Sequence, residues 1–282
     1  MRIAVDGSDC YAYTGSRALD AQKPAIVFVH GAANDHSVWA LQSRYFAHHG
    51  YNVLAMDLPG HGHSGGAALA TVEAIADWIP RVLDAAGIAK AAVVGHSMGS
   101  LATLACAARH PDRVTAIALL GPAVPMFVSD ELLAAALDHD HVAYELINGW
   151  SFSAGKQLGG NAVPGMWLTG NAMRLMERTG PGVLHTDLLA CRSYADGLAD
   201  AVAVRCPVLA IMGERDLMTP VKGAQTMLAA LADKRVVTLA DTGHAMMAEQ
   251  PDAVLDALRA FYRSGTSASQ AFLFKPGRTL SG

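Results

Sequence analysis

The chain has 282 residues and a mass of 29.5 kDa, room for roughly one or two domains. Its 21 basic and 25 acidic side chains leave a net charge of −4 and a pI near 6.3, far from the basic footprint of about pI 9 that nucleic-acid binding calls for. Apolar residues reach 52%, which excludes general disorder, yet 52 residues are alanine and no stretch attains the roughly 18 uninterrupted apolar residues of a membrane span. From the N-terminus onward, Met1–Gly7 lacks the apolar core of a secretory signal. The first buried strand is predicted at Ala25–Val29 and the second at Asn52–Met56. Thr71 then caps a helix with Ile75, Ile79, Val82 and Leu83 on one face, kinked at Pro80 and closed by Gly87. Ala91–Val94 is the third strand, followed by an alanine-rich helix over Leu101–His110 and a fourth strand at Val114–Leu120.

Strand-like sequence then stops until Val208–Met212 and Val236–Leu239, after which Ala253, Leu255, Leu258 and Phe261 mark a last amphipathic helix. Continuous apolar strands alternating with helices predict an α/β architecture, a mostly parallel central sheet flanked by helices on both faces. The strandless interval is too long for a loop. It predicts a helical cap at 122–204, inserted between core parts 1–121 and 205–263 and followed by a Ser/Gly-rich tail at 264–282. Trp150, Trp167, Met166 and Met173, with Met176, are candidate pocket residues in the cap, and the competing reading packs them into its own core. Cys10, Cys106, Cys191 and Cys206 are scattered with no CxxC pair, which predicts reduced thiols and a cytoplasmic location.

Chemistry enters at Gly95-His96-Ser97-Met98-Gly99, which follows a predicted strand directly and opens a helix. That setting presents a serine hydroxyl on a tight turn, the nucleophile elbow. Gly62-His63-Ser64-Gly65-Gly66 matches the same string but lies in a Gly/His loop, which makes Ser64 the decoy. A serine needs a base to take its proton and a carboxylate to orient that base. His244, after strand Val236–Leu239, is the predicted base, and Asp216, after strand Val208–Met212, the predicted acid. Glu214 and Asp241 compete with Asp216 for that place, while Gly121-Pro122-Ala123 offers no carboxylate after the fourth strand. Oxyanion-hole donors are expected from the backbone N–H of Met98 and of Ala32, in the loop after Ala25–Val29. No Walker or dinucleotide loop is present, so no organic cofactor is expected.

With His30-Gly31, Asp57-Leu58-Pro59-Gly60-His61-Gly62-His63-Ser64, Gly95–Gly99, Gly213-Glu214-Arg215-Asp216 and Gly243-His244, the chain resembles the α/β-hydrolase fold superfamily in its cap-bearing branch. Arg109-His110-Pro111-Asp112-Arg113-Val114 and Glu249-Gln250-Pro251 are also similar, so the likeness spans about 25–263. It implies a serine esterase cleaving a small or medium, mainly apolar carboxylic ester through an acyl-enzyme. Two alternatives stay open: carbon–carbon bond hydrolysis of the meta-cleavage-product type, and a non-catalytic receptor on the same fold. Ser97 departs from the aspartate nucleophile of the epoxide hydrolases and haloalkane dehalogenases, and Ala32-Ala33-Asn34-Asp35 is less glycine-rich than the meta-cleavage enzymes. The expected partner is a small-molecule ester, with no nucleic acid or membrane, and the sequence does not indicate an oligomeric state. The resemblance also accounts for His61 and His63 without a metal, leaves His30 and His96 as structural neighbours of the site, and makes Asp57 a loop organiser. Asp138-His139-Asp140-His141 with Glu145 is expected to be a solvated face rather than a metal site.

Overall fold

The computed structural model describes residues 1–138, 141–161 and 165–265. The tail lies beyond them from residue 266, as do His139 and Asp140. In chain order the elements are β1 (Arg2–Val5), β2 (Ser8–Tyr13), β3 (Ala25–Val29), a 3-10 turn (His36–Trp39), α1 (Ala40–His48), β4 (Asn52–Met56), α2 (Val72–Ala85), β5 (Ala91–His96), α3 (Met98–Arg109) and β6 (Val114–Leu120). Then follow α4 (Asp130–Leu137), α5 (His141–Ser151), α6 (Ala154–Gln157), α7 (Leu168–Met176), α8 (Val183–Ser193) and α9 (Gly197–Ala203). The chain closes with β7 (Val208–Gly213), α10 (Val221–Ala230), β8 (Lys234–Leu239), α11 (Met246–Glu249) and α12 (Pro251–Gly265).

Eight strands form one sheet in the order β1-β2-β4-β3-β5-β6-β7-β8, parallel from β4 through β8 and antiparallel at β1 and β2. The six strands expected from the sequence are all present. Their continuous apolar runs divide by pleat. Val27, Val29, Leu54, Met56, Val93 and Ile117 join the core under α2, α3 and α10, whereas Ile26, Phe28, Val53, Val94 and Leu120 join the core under α1 and α12. β8 departs from the expectation of a strand buried on both faces. It is the sheet edge, and Val236 is 47% exposed.

The N-terminal hairpin has no counterpart among the expected strands. Asp6 and Gly7, at φ 49° and 79°, make a two-residue turn between Val5 and Ser8, the left-handed pair that matches hairpin twist. α2 starts as expected, with the Thr71 hydroxyl accepting the Ala74 N–H, and it runs on through Pro80. Between β6 and β7, α9 packs against α3 and α10 beside the sheet, while α4 packs on α5 and α8 and α5 on α7.

The chain leaves β3 for β4 on one side and returns to β5 on the other, so the carboxyl ends of β3 and β5 face a topological switch point. There α3 meets β5 through glycine contacts. A Cβ on Gly95 would lie 2.0 Å from the Gly99 carbonyl oxygen, and one on Gly99 would lie 2.4 Å from that of Val29. Both obstacles are backbone and cannot swing aside. Gly99→Ala is therefore expected to cost about 3 kcal/mol, the upper range for overpacking. The check is a urea melt with a lower midpoint and an unchanged slope.

Candidate active site

Ser97 sits on the turn between β5 and α3 with φ 54° and ψ −120°, a conformation that non-glycine residues rarely adopt. The surrounding bonds hold it there. The Ser97 N–H donates to the Leu120 carbonyl at 2.9 Å, and the Ser97 carbonyl accepts from the Ser100 N–H and hydroxyl. The decoy serine is otherwise employed: the Ser64 hydroxyl donates to the Asp57 carbonyl at 2.7 Å and accepts the Tyr11 N–H at 2.8 Å.

His244 and Asp216, 28 residues apart, meet at the carboxyl ends of β7 and β8, with His244 Nδ1 donating to Asp216 Oδ2 at 2.8 Å. The Asp216 Oδ1 accepts the N–H groups of Met218 and Thr219, and its Oδ2 also accepts the Thr219 hydroxyl at 2.8 Å. Burial alone would raise the Asp216 carboxyl. The facing His244 ring and the donors from His244 and Thr219 outweigh it and hold the group below its ordinary value. The competing carboxylates point elsewhere: Glu214 accepts the Asp241 N–H, and Asp241 faces Arg215 at 3.5 Å.

Thr219 was not among the residues singled out from sequence, and Gly121 entered only as part of a segment without a carboxylate. Thr219 carries a common polar residue in an irregular loop and has no motif to mark it. Gly121, at φ +58°, has its missing Cβ 3.0 Å from His244 Cε1, so the absent carboxylate after β6 is replaced by space for the imidazole. His96 braces the same loop, its Nε2–H donating to the His244 carbonyl at 2.9 Å with the rings 4.6 Å apart. Burial pushes its pKa down to about 3, so it stays neutral. Glu249 accepts the Gly243 N–H at 3.0 Å and the Ser153 hydroxyl at 2.6 Å.

Ser97, His244, His96 and Ala32 line one cavity of about 390 Å³, and Asp216 stands behind His244. Met98 is buried at the first position of α3. Neither the Ala32 nor the Met98 N–H donates to any described residue. The opposite wall comes from the segment between β6 and β7, including Met126, Leu132, Ile147, Leu175 and Leu188. Of the pocket candidates, Met166 and Met176 reach this wall, while Trp150, Trp167 and Met173 do not. Trp167 is 70% exposed with its ring over Gly170. Met173, on the same helix α7 as lining residues, packs on the core instead. The aromatic walls are Phe127 and Phe152. Arg174, paired with Glu177 at 2.6 Å, and Arg178 stand at the exposed rim.

Among the described residues, ligand atoms of Asp35, His36 and Asp57 gather within 4.8 Å. These atoms are already engaged: Asp57 accepts from the His36 ring and from the His36 and His63 N–H groups, and Asp35 from Ser37. Asp57 thus ties the loop together. The expected acidic face at 138–145 falls partly outside the described residues; His141 stands exposed, 3.9 Å from Glu145 and 3.6 Å from Glu177.

A family model described as the alpha/beta hydrolase fold matches residues 24–251. The pimeloyl-[acyl-carrier protein] methyl ester esterase of Aromatoleum aromaticum is 30% identical over 82% of this chain and 94% of its own length. The (E)-2-((N-methylformamido)methylene)succinate hydrolase of Acinetobacter baylyi is 27% identical over 84% and 89%. The crystal structure of the enol-lactonase from Burkholderia xenovorans LB400 superposes with a TM-score of 0.83 at 25% identity, covering 93% of this chain and 100% of that one.

Proposed function

Because the chain belongs to the alpha/beta hydrolase fold family, we propose that it is a serine hydrolase that opens carboxylic esters through an acyl-enzyme. The observation that carries this reading is the His244–Asp216 hydrogen bond on the same cavity wall as a serine held at φ 54°. The related esterase and lactonase are both named for opening a carbonyl–oxygen bond, a lactone being a cyclic ester. Ser97 attacks the carbonyl as His244 takes its proton, and Asp216 fixes the tautomer that presents Nε2 to the serine. The Ala32 and Met98 amides hold the oxyanion; one such donor is worth about 100- to 1,000-fold in rate. His244 then protonates the leaving alcohol and activates the water that releases the acid.

Helices α4 to α8 act as the cap, and their apolar wall favours a small or medium, mainly apolar acyl chain. Four free thiols support a cytoplasmic setting. No helix among the described residues is long and apolar enough to cross a membrane. The test is labelling with a fluorophosphonate followed by a screen of short nitrophenyl esters, lactones and dienol–keto acids. Labelling at Ser97 with turnover of esters supports the reading. Turnover of the keto acids alone transfers the triad to carbon–carbon hydrolysis, and a folded protein that does not label is a receptor.

A further inference from the structure

Asp187 belongs to α8 in the inserted segment, is 1% exposed, and serves no group on the cavity wall. Its Oδ2 accepts the Ala33 N–H at 2.9 Å and faces His61 Nε2 at 2.9 Å, residues 154 and 126 positions away in sequence. The other ring nitrogen of His61 faces the Pro59 carbonyl at 3.0 Å. A carbonyl only accepts, and Asp187 Oδ2 already accepts the Ala33 amide. Both ring nitrogens thus face acceptors, an arrangement that a doubly protonated His61 against the Asp187 carboxylate satisfies. The neighbouring His30 has the opposite pattern. Its Nε2 accepts the Leu58 N–H while its Nδ1–H donates to the Gly31 carbonyl, so it is neutral.

These bonds converge on the loop that carries the Ala32 amide. Ala33 itself sits at φ 51°, a strained position for alanine, with its N–H on Asp187 and its carbonyl accepting the Thr179 hydroxyl at 3.3 Å. Both main-chain groups of Ala33 are thus fixed from the inserted segment. The Ala32 N–H lies in the adjoining Gly31–Ala32 peptide, and an oxyanion donor works only when aimed at where charge develops, so a shift of Ala33 that tilts that neighbour affects the transition state more than the bound ester.

We propose that Asp187 and His61 are positioning residues that clamp the inserted segment to the oxyanion loop and hold the Ala32 amide in its working orientation. This rests on the esterase reading above for its kinetic consequence, although the clamp itself does not. The groups facing the pair are His30 at 4.8 Å ring to ring, Asp57 across the loop and Cys191 on α8. Burial disfavours the His61 cation, but the Asp187 charge and hydrogen bond outweigh it and raise the pKa. The sign follows: the clamp is complete below the ordinary histidine range and fails as pH rises through the elevated folded-state value.

The experiment has two arms on the full chain. In the first, ¹⁵N-histidine NMR of the wild-type protein reads the protonation of His61, with His61→Gln assigning the signal. Two protonated ring nitrogens at pH 6.5 are expected, and a neutral ring overturns the clamp. In the second, Asp187→Asn and His61→Gln are assayed on nitrophenyl butyrate across pH 5–10. At neutral pH each is expected to lower kcat by about 10- to 100-fold, part of the full worth of an oxyanion donor, with KM changed by less than about threefold. The wild type loses kcat on the alkaline side where His61 titrates by NMR, and His61→Gln lacks that limb. Wild-type kcat and pH profile in both variants overturn the proposal. Should Asp187→Asn fail to fold, His61→Gln and the wild-type NMR still decide it. A wild type that cleaves no ester strikes the esterase reading, while the NMR arm reports on the clamp regardless.

Discussion

Ser97→Ala is expected to lower ester turnover on the order of 10⁵-fold or more and to remove fluorophosphonate labelling, because in the proposed mechanism every covalent step passes through that oxygen. Serine and alanine share the same Cβ, so the strained turn costs both alike and the protein should melt within a degree or two of wild type. The hydroxyl removed holds no structural bond, since the bonds fixing this turn run through the Ser97 main chain. Residual hydrolysis above the uncatalysed rate would come from the oxyanion amides and the pocket. An alanine variant retaining more than a tenth of wild-type activity would remove Ser97 from the mechanism. Ser64 would not inherit the role, with its hydroxyl committed to Asp57 and Tyr11.

Asp216→Asn should cost about 10⁴-fold in kcat, the effect of presenting the base in the wrong tautomer. The site makes this outcome specific. Asp216 Oδ1 receives two backbone N–H groups, so the asparagine oxygen is drawn to that position and its NH₂ is placed toward His244. The NH₂ then donates to His244 Nδ1, the ring proton moves to Nε2, and no lone pair faces Ser97. The Thr219 hydroxyl loses its acceptor as well and must turn. Steady-state kinetics beside a thermal melt would check this. A loss under tenfold in a folded variant would place the orienting carboxylate elsewhere.

Much of this site was legible because its chemistry is written locally. Strand, Gly95–Gly99 and helix are contiguous, and the positions after β7 and β8 are named by the strands that end there. The sheet was legible for a related reason: strands buried on both faces need apolar residues at every position, a signal independent of pleat phase. The N-terminal hairpin uses half-buried alternation, and only Asp6-Gly7 marks its turn. The pocket was read less well. Trp150 and Trp167 are the tryptophans of the segment, yet side-chain size does not reveal which residues turn inward. Asp187 and Thr219 escaped notice, and Glu249 was read only as part of Glu249-Gln250-Pro251, because their partners lie elsewhere in the chain and only folding brings a lone side chain to a particular amide.

The two flanks of the cavity have a consequence for substrate traffic. Ser151 and Ser153 fasten one side of the inserted segment to Ala245 and Glu249, and Asp187 fastens the other to Ala33 and His61. If His61 is charged as proposed, lifting the segment as a hinged door would strand that cation, and separating a buried pair costs about 3–5 kcal/mol. At 1.4 kcal/mol per tenfold, such a door would stand open roughly one part in 10² to 10⁴ of the time. On the clamp proposal, passage falls to the gap between the rim side chains, where Phe127 is 83% exposed beside the long Arg174 and Arg178. The width of that gap, rather than the volume behind it, then sets which molecules are admitted.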